Sequence, residues 1–141
     1  LNMDMQKLPT VDIVHDWDSF PWPFPDNSVT IITAMHVVEH VDPARFGFIK
    51  WMNEAWRILK YEGQLVIVVP YAGSEGYWAD PTHCNPCTKH TWRYFDPTDP
   101  QKLFDIYTPK PWRIKLCNFN VDGIMDVILV KRRWEATENA G

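Results

Sequence analysis

V-T-I-I-T-A at residues 29–34, D-P-A-R-F-G-F-I-K-W-M-N-E-A-W-R-I-L-K-Y at 42–61 and L-V-I-V-V at 65–69 decide how this chain folds. The first run is β-branched and reads as a buried strand. In the second, Asp42-Pro43 marks a helix start, with Asp as N-cap and Pro at the first helical position. Phe46, Ile49, Trp56 and Leu59 are spaced for one buried face, and Gly63 is the natural stop. The third run is continuous and apolar, as expected of a parallel strand covered on both faces. Strand, capped helix and strand make a β-α-β unit, so the fold class is α/β.

Working outward, residues 1–5 and 11–15 read as two further short strands, and F-P-W-P-F-P-D-N at 20–27 as a proline-punctuated loop. Residues 70–110 form a long, irregular, proline-rich segment, and loops of that length in compact domains are usually lids or binding loops. Residues 112–119 and 124–131 read as an antiparallel hairpin turning at Asn120-Val121-Asp122-Gly123. A polar tail follows over 135–141. At 141 residues the chain is long enough for one core, so a single domain over 1–134 is expected.

Composition excludes several classes. Hydrophobic residues at 45% and charged residues at 23% rule out a disordered or collagen-like chain. The net charge is −4 and Lys and Arg are scattered, so no basic face for nucleic acid is expected. The longest apolar run, 65–70, is too short to cross a bilayer, and no membrane partner is expected. The start carries no basic stretch followed by an apolar one, so no signal peptide is read. Three cysteines make no disulfide framework, and a reducing cytoplasm is the simplest home. The six glycines, at 47, 63, 73, 76, 123 and 141, include no G-x-G pair.

P-F-P-D-N-S-V at 23–29, I-I-T-A-M-H-V-V-E-H-V at 31–41 and N-E-A-W-R-I-L-K-Y-E-G-Q-L-V-I-V-V-P at 53–70 together resemble class I S-adenosylmethionine-dependent methyltransferases. More narrowly, the run is similar to the type 11 group, and D-P-T-H at 80–83 with Y-F at 94–95 resembles a pattern of one branch. The resemblance spans roughly 2–131. It implies a Rossmann-like, mostly parallel sheet with the antiparallel hairpin at its C-terminal end. The turn 57–63, R-I-L-K-Y-E-G, departs from the family's R-x-L-K-x-G-G. The chain also starts past the family's first strand and glycine-rich loop, so it is N-terminally truncated relative to the family. Three arrangements then stand open: a fragment, direct pairing of the strands at 1–5 and 29–34, or another subunit in the gap.

The resemblance implies methyl transfer from S-adenosylmethionine, with cofactor binding impaired where the glycine-rich loop is missing. Asp4 matches the carboxylate that accepts from the ribose hydroxyls, for which two acceptor oxygens suit a vicinal diol. Asp16 matches the acid at the adenine amino group, with Asp18 as competitor, and Trp17 offers a ring face or plain packing. Met35 and His36 follow the strand at 29–34, at the mouth where open α/β sheets place ligands. His36 serves there as cofactor contact or base, and His83 as a second catalytic candidate. Glu39-His40 reads as a mainly structural pair.

Tyr71, His83 and Tyr94 are the candidates for the acceptor, a small molecule or sugar, under an aromatic loop whose competing reading is a satellite core. His83-Cys84-Asn85-Pro86-Cys87-Thr88-Lys89-His90 offers four zinc-type ligands, but within eight residues closure is strained, so no metal is assigned. The alternative to an enzyme is a non-catalytic binding or assembly module. It would form a homo-oligomer covering the broken sheet edge.

Overall fold

Leu65, Ile67 and Val69 are fully buried while their neighbours are half-covered, and this alternation makes the central strand of the fold. In the computed structural model, which describes residues 1–133, that strand is β4, Leu59–Pro70. The others are β1 Met3–Asp4, β2 Ile13–Val14, β3 Val29–Met35, β5 Trp112–Phe119 and β6 Ile124–Lys131. One four-stranded sheet runs β3-β4-β6-β5, with β3 parallel to β4 and the other pairs antiparallel. A second, two-stranded sheet pairs β1 with β2 in parallel, Met3 opposite Ile13 and Asp4 opposite Val14. The α/β class and the C-terminal hairpin stand as read, and the hairpin strands have the expected bounds.

The helix differs from its expected bounds. α1 is Gly47–Ile58, preceded by 3₁₀ turns at Val38–His40 and Ala44–Phe46. Arg45 and Phe46 have left-handed backbones, and a Cβ on residue 47 would lie 1.8 Å from the Asp42 carbonyl oxygen. Only glycine passes there, so the chain can turn into the helix only at Gly47. The Asp42 side chain therefore caps the preceding turn, accepting from Ala44 N at 2.8 Å, and is not the cap of α1. At the other end Leu59 is already extended, so Gly63 lies inside β4 and not at a helix stop. The buried face is Trp51, Met52, Ala55 and Ile58. Phe46 lies outside the helix and is 65% exposed, and Ile49 and Trp56 are half-buried flanks.

The strand at 29–34 was expected to be buried. β3 instead pairs with β4 only, leaving Ile31 57% and Met35 61% exposed. Direct pairing of β1 with β3 is not formed among the described residues. The segment 70–110 is less irregular than expected. It holds α2 Glu75–Ala79, a 3₁₀ turn Thr91–Phe95 and α3 Phe104–Tyr107. Tyr77, Trp92, Phe95 and Phe104 are buried, and Trp92 and Phe95 belong to the main hydrophobic core, so much of its aromatic content is packed inside the protein. Trp78, at 71% exposure, is not. The tail over 135–141 lies outside the described residues. No helix among the described residues is long and apolar enough to cross a membrane.

Candidate functional site

Met35 and His36, consecutive at the carboxyl end of β3, line two different cavities. The first is a cleft of about 530 Å³ between β1 and β3. Its walls are β3, Met3 and Asp4 of β1, Trp17, Trp22 and Phe24 of the proline-rich loop, and Trp51 and Ile58 of α1. Asp4 is the one ionisable side chain in that lining, and it stands among mostly apolar side chains. His15 N donates to the Asp4 carbonyl at 2.9 Å, which holds β1 against the chain beyond β2. The Asp4 carboxylate accepts from Gln6 N through Oδ1 at 2.8 Å and retains further acceptor capacity. Trp22 Nε1 donates to Trp17 O at 3.0 Å, fixing the loop beside it.

Asp16 is not among the residues lining this cleft. It is exposed, with Oδ1 accepting from Asp18 N at 2.9 Å. Its competitor Asp18 accepts from Asp42 N through both carboxylate oxygens, at 3.2 and 3.3 Å. Burial pushes the Asp18 carboxyl above the usual range, ahead of the opposing effect of that backbone donor.

The second cavity is about 540 Å³. His36, Ser74, Asp80, His83 and Asp122 line it together with Pro70, Gly76, Ala79, Pro81 and Ile124. His36 has a left-handed backbone at φ 53°, a conformation uncommon outside glycine and enriched at functional sites. Its N–H donates to Val68 O at 2.8 Å, continuing the ladder of β4. Nδ1 donates to Glu39 Oε1 at 3.2 Å, a pairing in which the carboxylate is fully buried and the ring half-exposed. With Nδ1–H held this way, Nε2 of neutral His36 is the free acceptor. A half-exposed imidazole oriented by a buried carboxylate is the arrangement of a general base.

His83 lies in the same cavity wall, its side chain 7% exposed, with Nδ1 donating to Tyr77 O at 2.6 Å. Asp80 Oδ2 is 3.7 Å from His83 Nε2. Two donors from Thr82, side-chain and backbone, hold the Asp80 carboxyl below its usual range.

The structure thus brings His36 and His83 to one cavity, and Asp4, Trp17 and Met35 to the other. Tyr71 and Tyr94 are elsewhere. Tyr71 stacks on Phe119, centroids 4.6 Å apart, beside a third cavity near the hairpin turn. Tyr94 packs near Tyr107 at 5.9 Å, in a fourth, aromatic cavity. Glu39 is the residue sequence reasoning undervalued. His36 lies outside the 3₁₀ turn that carries Glu39, so helical spacing gave no signal for the pair, and the left-handed backbone at His36 brings the ring to the carboxylate.

The two thiols considered as zinc ligands are otherwise engaged. Cys84 Sγ donates to Val41 O at 3.2 Å and faces Glu39 O at 3.5 Å. Cys87 is buried and donates to Asn85 O at 3.6 Å, and burial pushes its thiol up to about 12.

The family model described as methyltransferase domain, of the type 11 group, matches residues 2–67, which bears out the resemblance carried by the motifs. A solved S-adenosylmethionine-dependent methyltransferase from Archaeoglobus fulgidus is similar at a TM-score of 0.63 and 17% identity. The match covers 92% of this chain and 74% of that one. One from Aquifex aeolicus matches at 0.56 and 14% identity, over 92% and 67%. The chain solved in complex with the Haloferax volcanii Trm112 methyltransferase activator matches at 0.60 and 13% identity, over 91% and 65%. This chain therefore spans about two thirds to three quarters of the length of these structures. At such identities the likeness is one of fold. No protein of curated function matches the sequence.

Proposed function

We propose that this chain transfers a methyl group from S-adenosylmethionine to a small, hydroxyl-bearing acceptor such as a sugar. The observation that carries the reading is the divided end of β3, with Met35 in the cleft that holds Asp4 and Trp17, and His36 in the cavity that holds His83 and Asp80. A cleft of about 530 Å³ falls in the usual range of roughly 300–1,000 Å³ for small-molecule sites. Its residues fit the nucleoside half of the cofactor. Asp4 would accept from the ribose hydroxyls and Trp17 would present a ring face to the base. Asp16, next to Trp17 in sequence but outside the lining, would reach the adenine amino group. Bound there, the cofactor supplies an electrophilic methyl on a sulfonium.

His36 takes the proton of the acceptor hydroxyl on Nε2, while buried Glu39 keeps its Nδ1–H in place. His83 and Asp80 orient the acceptor across the cavity, and Tyr71 and Tyr94 extend the acceptor side only when the loop over 70–110 closes. Positioning is the main contribution, because in-line displacement at a sulfonium needs alignment more than acid chemistry. A reducing cytoplasm remains the proposed setting, in keeping with three free thiols at Cys84, Cys87 and Cys117.

Thermal-shift titration with S-adenosylhomocysteine tests the cleft. A saturable rise in Tm is expected. Asp4→Asn should weaken binding by about tenfold or more, since it removes a charged acceptor worth about 1.5–3 kcal/mol. His36→Ala should leave that binding intact and abolish turnover. A folded chain with no shift at millimolar ligand refutes the reading.

A second reading rests on the free edge of β3, where Ile31 and Met35 are exposed and no strand among the described residues pairs. Such an edge invites a partner strand. The Haloferax volcanii relative is itself held in a complex with an activator protein. As an assembly module the chain would pair this edge with a second copy of itself. Light scattering on the eluting peak then gives a dimer mass, and a clean monomer mass excludes it.

A further inference from the structure

We propose that Glu39, His40 and His83 form a binding site for a divalent transition-metal ion of the zinc type. The inference stands independently of the methyl-transfer reading. One potential ligand atom from each of the three residues lies within 4.8 Å of the other two. Tertiary contacts hold the group together across more than forty positions of sequence. Cys84 N donates to Glu39 O at 2.8 Å and Asn85 N to the same oxygen at 3.2 Å. Asn85 Nδ2 donates to Val38 O at 3.0 Å and Val41 O at 2.6 Å. These bonds clamp the loop after His83 onto the 3₁₀ turn that carries Glu39 and His40. They bring the two imidazole centroids to 4.8 Å, edge to face.

The protonation pattern is the second observation. The Thr82 hydroxyl spends its one hydrogen on Asp80 Oδ1 at 2.7 Å, so at 3.0 Å from His40 Nδ1 it can only accept. His40 Nδ1 is therefore the protonated nitrogen and Nε2 carries the lone pair. Tyr77 O likewise accepts from His83 Nδ1 at 2.6 Å, which leaves Nε2 of that ring as the lone pair too. Two imidazoles whose tautomers are set by outer hydrogen bonds, His40 with Nε2 bare and His83 with Nε2 facing Asp80 Oδ2 at 3.7 Å, offer ring nitrogens in the state in which histidine binds metals.

The third observation is Glu39 itself. Its side chain is fully buried, Oε1 accepts from His36, and Oε2 has no hydrogen-bond partner among the described residues. A buried carboxylate oxygen without a donor is costly, and a cation beside it removes that cost. Two nitrogens and one carboxylate oxygen suit zinc, cobalt or ferrous iron and not magnesium or calcium, which prefer oxygen cages. Three protein ligands would also leave a coordination position for water or a substrate oxygen.

The test uses the full chain, stripped with a chelator and desalted, titrated with zinc chloride against a chromogenic zinc indicator. Cobalt(II) absorption reports the ligand set. One equivalent of zinc is expected per chain. His40→Ala and Glu39→Gln should each weaken binding at least tenfold, and Thr82→Val, which removes the outer hydrogen bond to His40 together with the one to Asp80, by about tenfold. Cys84→Ala and His90→Ala should change nothing. If Glu39→Gln fails to fold, the half-exposed His40 and exposed Thr82 variants carry the test. Absence of zinc binding by the folded wild type overturns the proposal. So does equal binding by His40→Ala, or loss of binding in Cys84→Ala or His90→Ala.

Discussion

Replacing Arg57 with alanine should destabilise the fold by about 3 kcal/mol, although the residue lies on a helix flank facing a loop. The guanidinium holds Glu54 bidentately, Nη2 to Oε1 at 2.6 Å and Nε to Oε2 at 2.9 Å. Glu54 in turn accepts from Trp22 N at 2.6 Å, and Arg57 Nη2 reaches Trp22 O at 3.2 Å. The Glu54 side chain is 10% exposed, so without Arg57 its charge is left buried and unpaired. Breaking one partner of such a pair costs roughly 3–5 kcal/mol. The partial exposure of Arg57 argues for the lower end. The bond from Arg57 Nη1 to Asp26 Oδ1 adds little, because Asp26 is largely in water. Urea unfolding followed by far-UV circular dichroism reads the loss. With a slope of about 2 kcal/mol/M the midpoint should fall by about 1.5 M. Arg57→Lys, which cannot form the fork, should recover only part of it. Because Trp22 and Phe24 wall the cleft, S-adenosylhomocysteine binding should weaken as well. A loss below about 1 kcal/mol, or full recovery by lysine, would refute the buried-pair account.

Lys131 is 4% exposed, donates to Leu59 O and Asn27 Oδ1 at 2.7 Å each, and has its pKa lowered from 10.5 by burial. The unfolded chain then binds the proton more tightly. The charge penalty is fully present below the folded pKa and is relieved as pH rises through it towards 10.5. Wild type should therefore gain stability relative to Lys131→Met over that alkaline window, and parallel denaturation curves would contradict it. Gly123→Ala should cost about 2 kcal/mol, because φ is +76° and the new Cβ would lie 2.4 Å from Ser74 Cβ. A urea midpoint equal to wild type would show that the hairpin turn gives way. In native protein near neutral pH, a thiol-alkylating reagent read by mass spectrometry should label Cys84 well before Cys87, which is buried and pushed up to about 12. Labelling of Cys87 first would mean that the hydrophobic core opens around it.

What the sequence determined by itself was carried by short-range signals. The apolar run at 65–69 sits in the buried centre of the sheet, and the hairpin over 112–119 and 124–131 has the expected bounds. Alternation and a turn glycine are local, and no distant neighbour is needed to satisfy them. The methyltransferase motifs were legible in the same way, as contiguous strings. Their purpose was not: P-F-P-D and N-E-A-W-R look unrelated until Arg57 reaches Asp26 and Glu54 takes Trp22 N.

The start of α1 was decided by Asp42, whose carbonyl leaves no room for a side chain at position 47. The edge position of β3 was equally invisible, because a β-branched run reports a preference for extended backbone and says nothing of what lies alongside. The candidate site shows the same division. His36 was legible from its place after a strand, whereas the burial of Glu39 and its meeting with His40 and His83 depend on a loop some forty residues away folding back onto a short turn. Periodicity records which face of an element is apolar, and only the packed chain decides which polar groups that face encloses together.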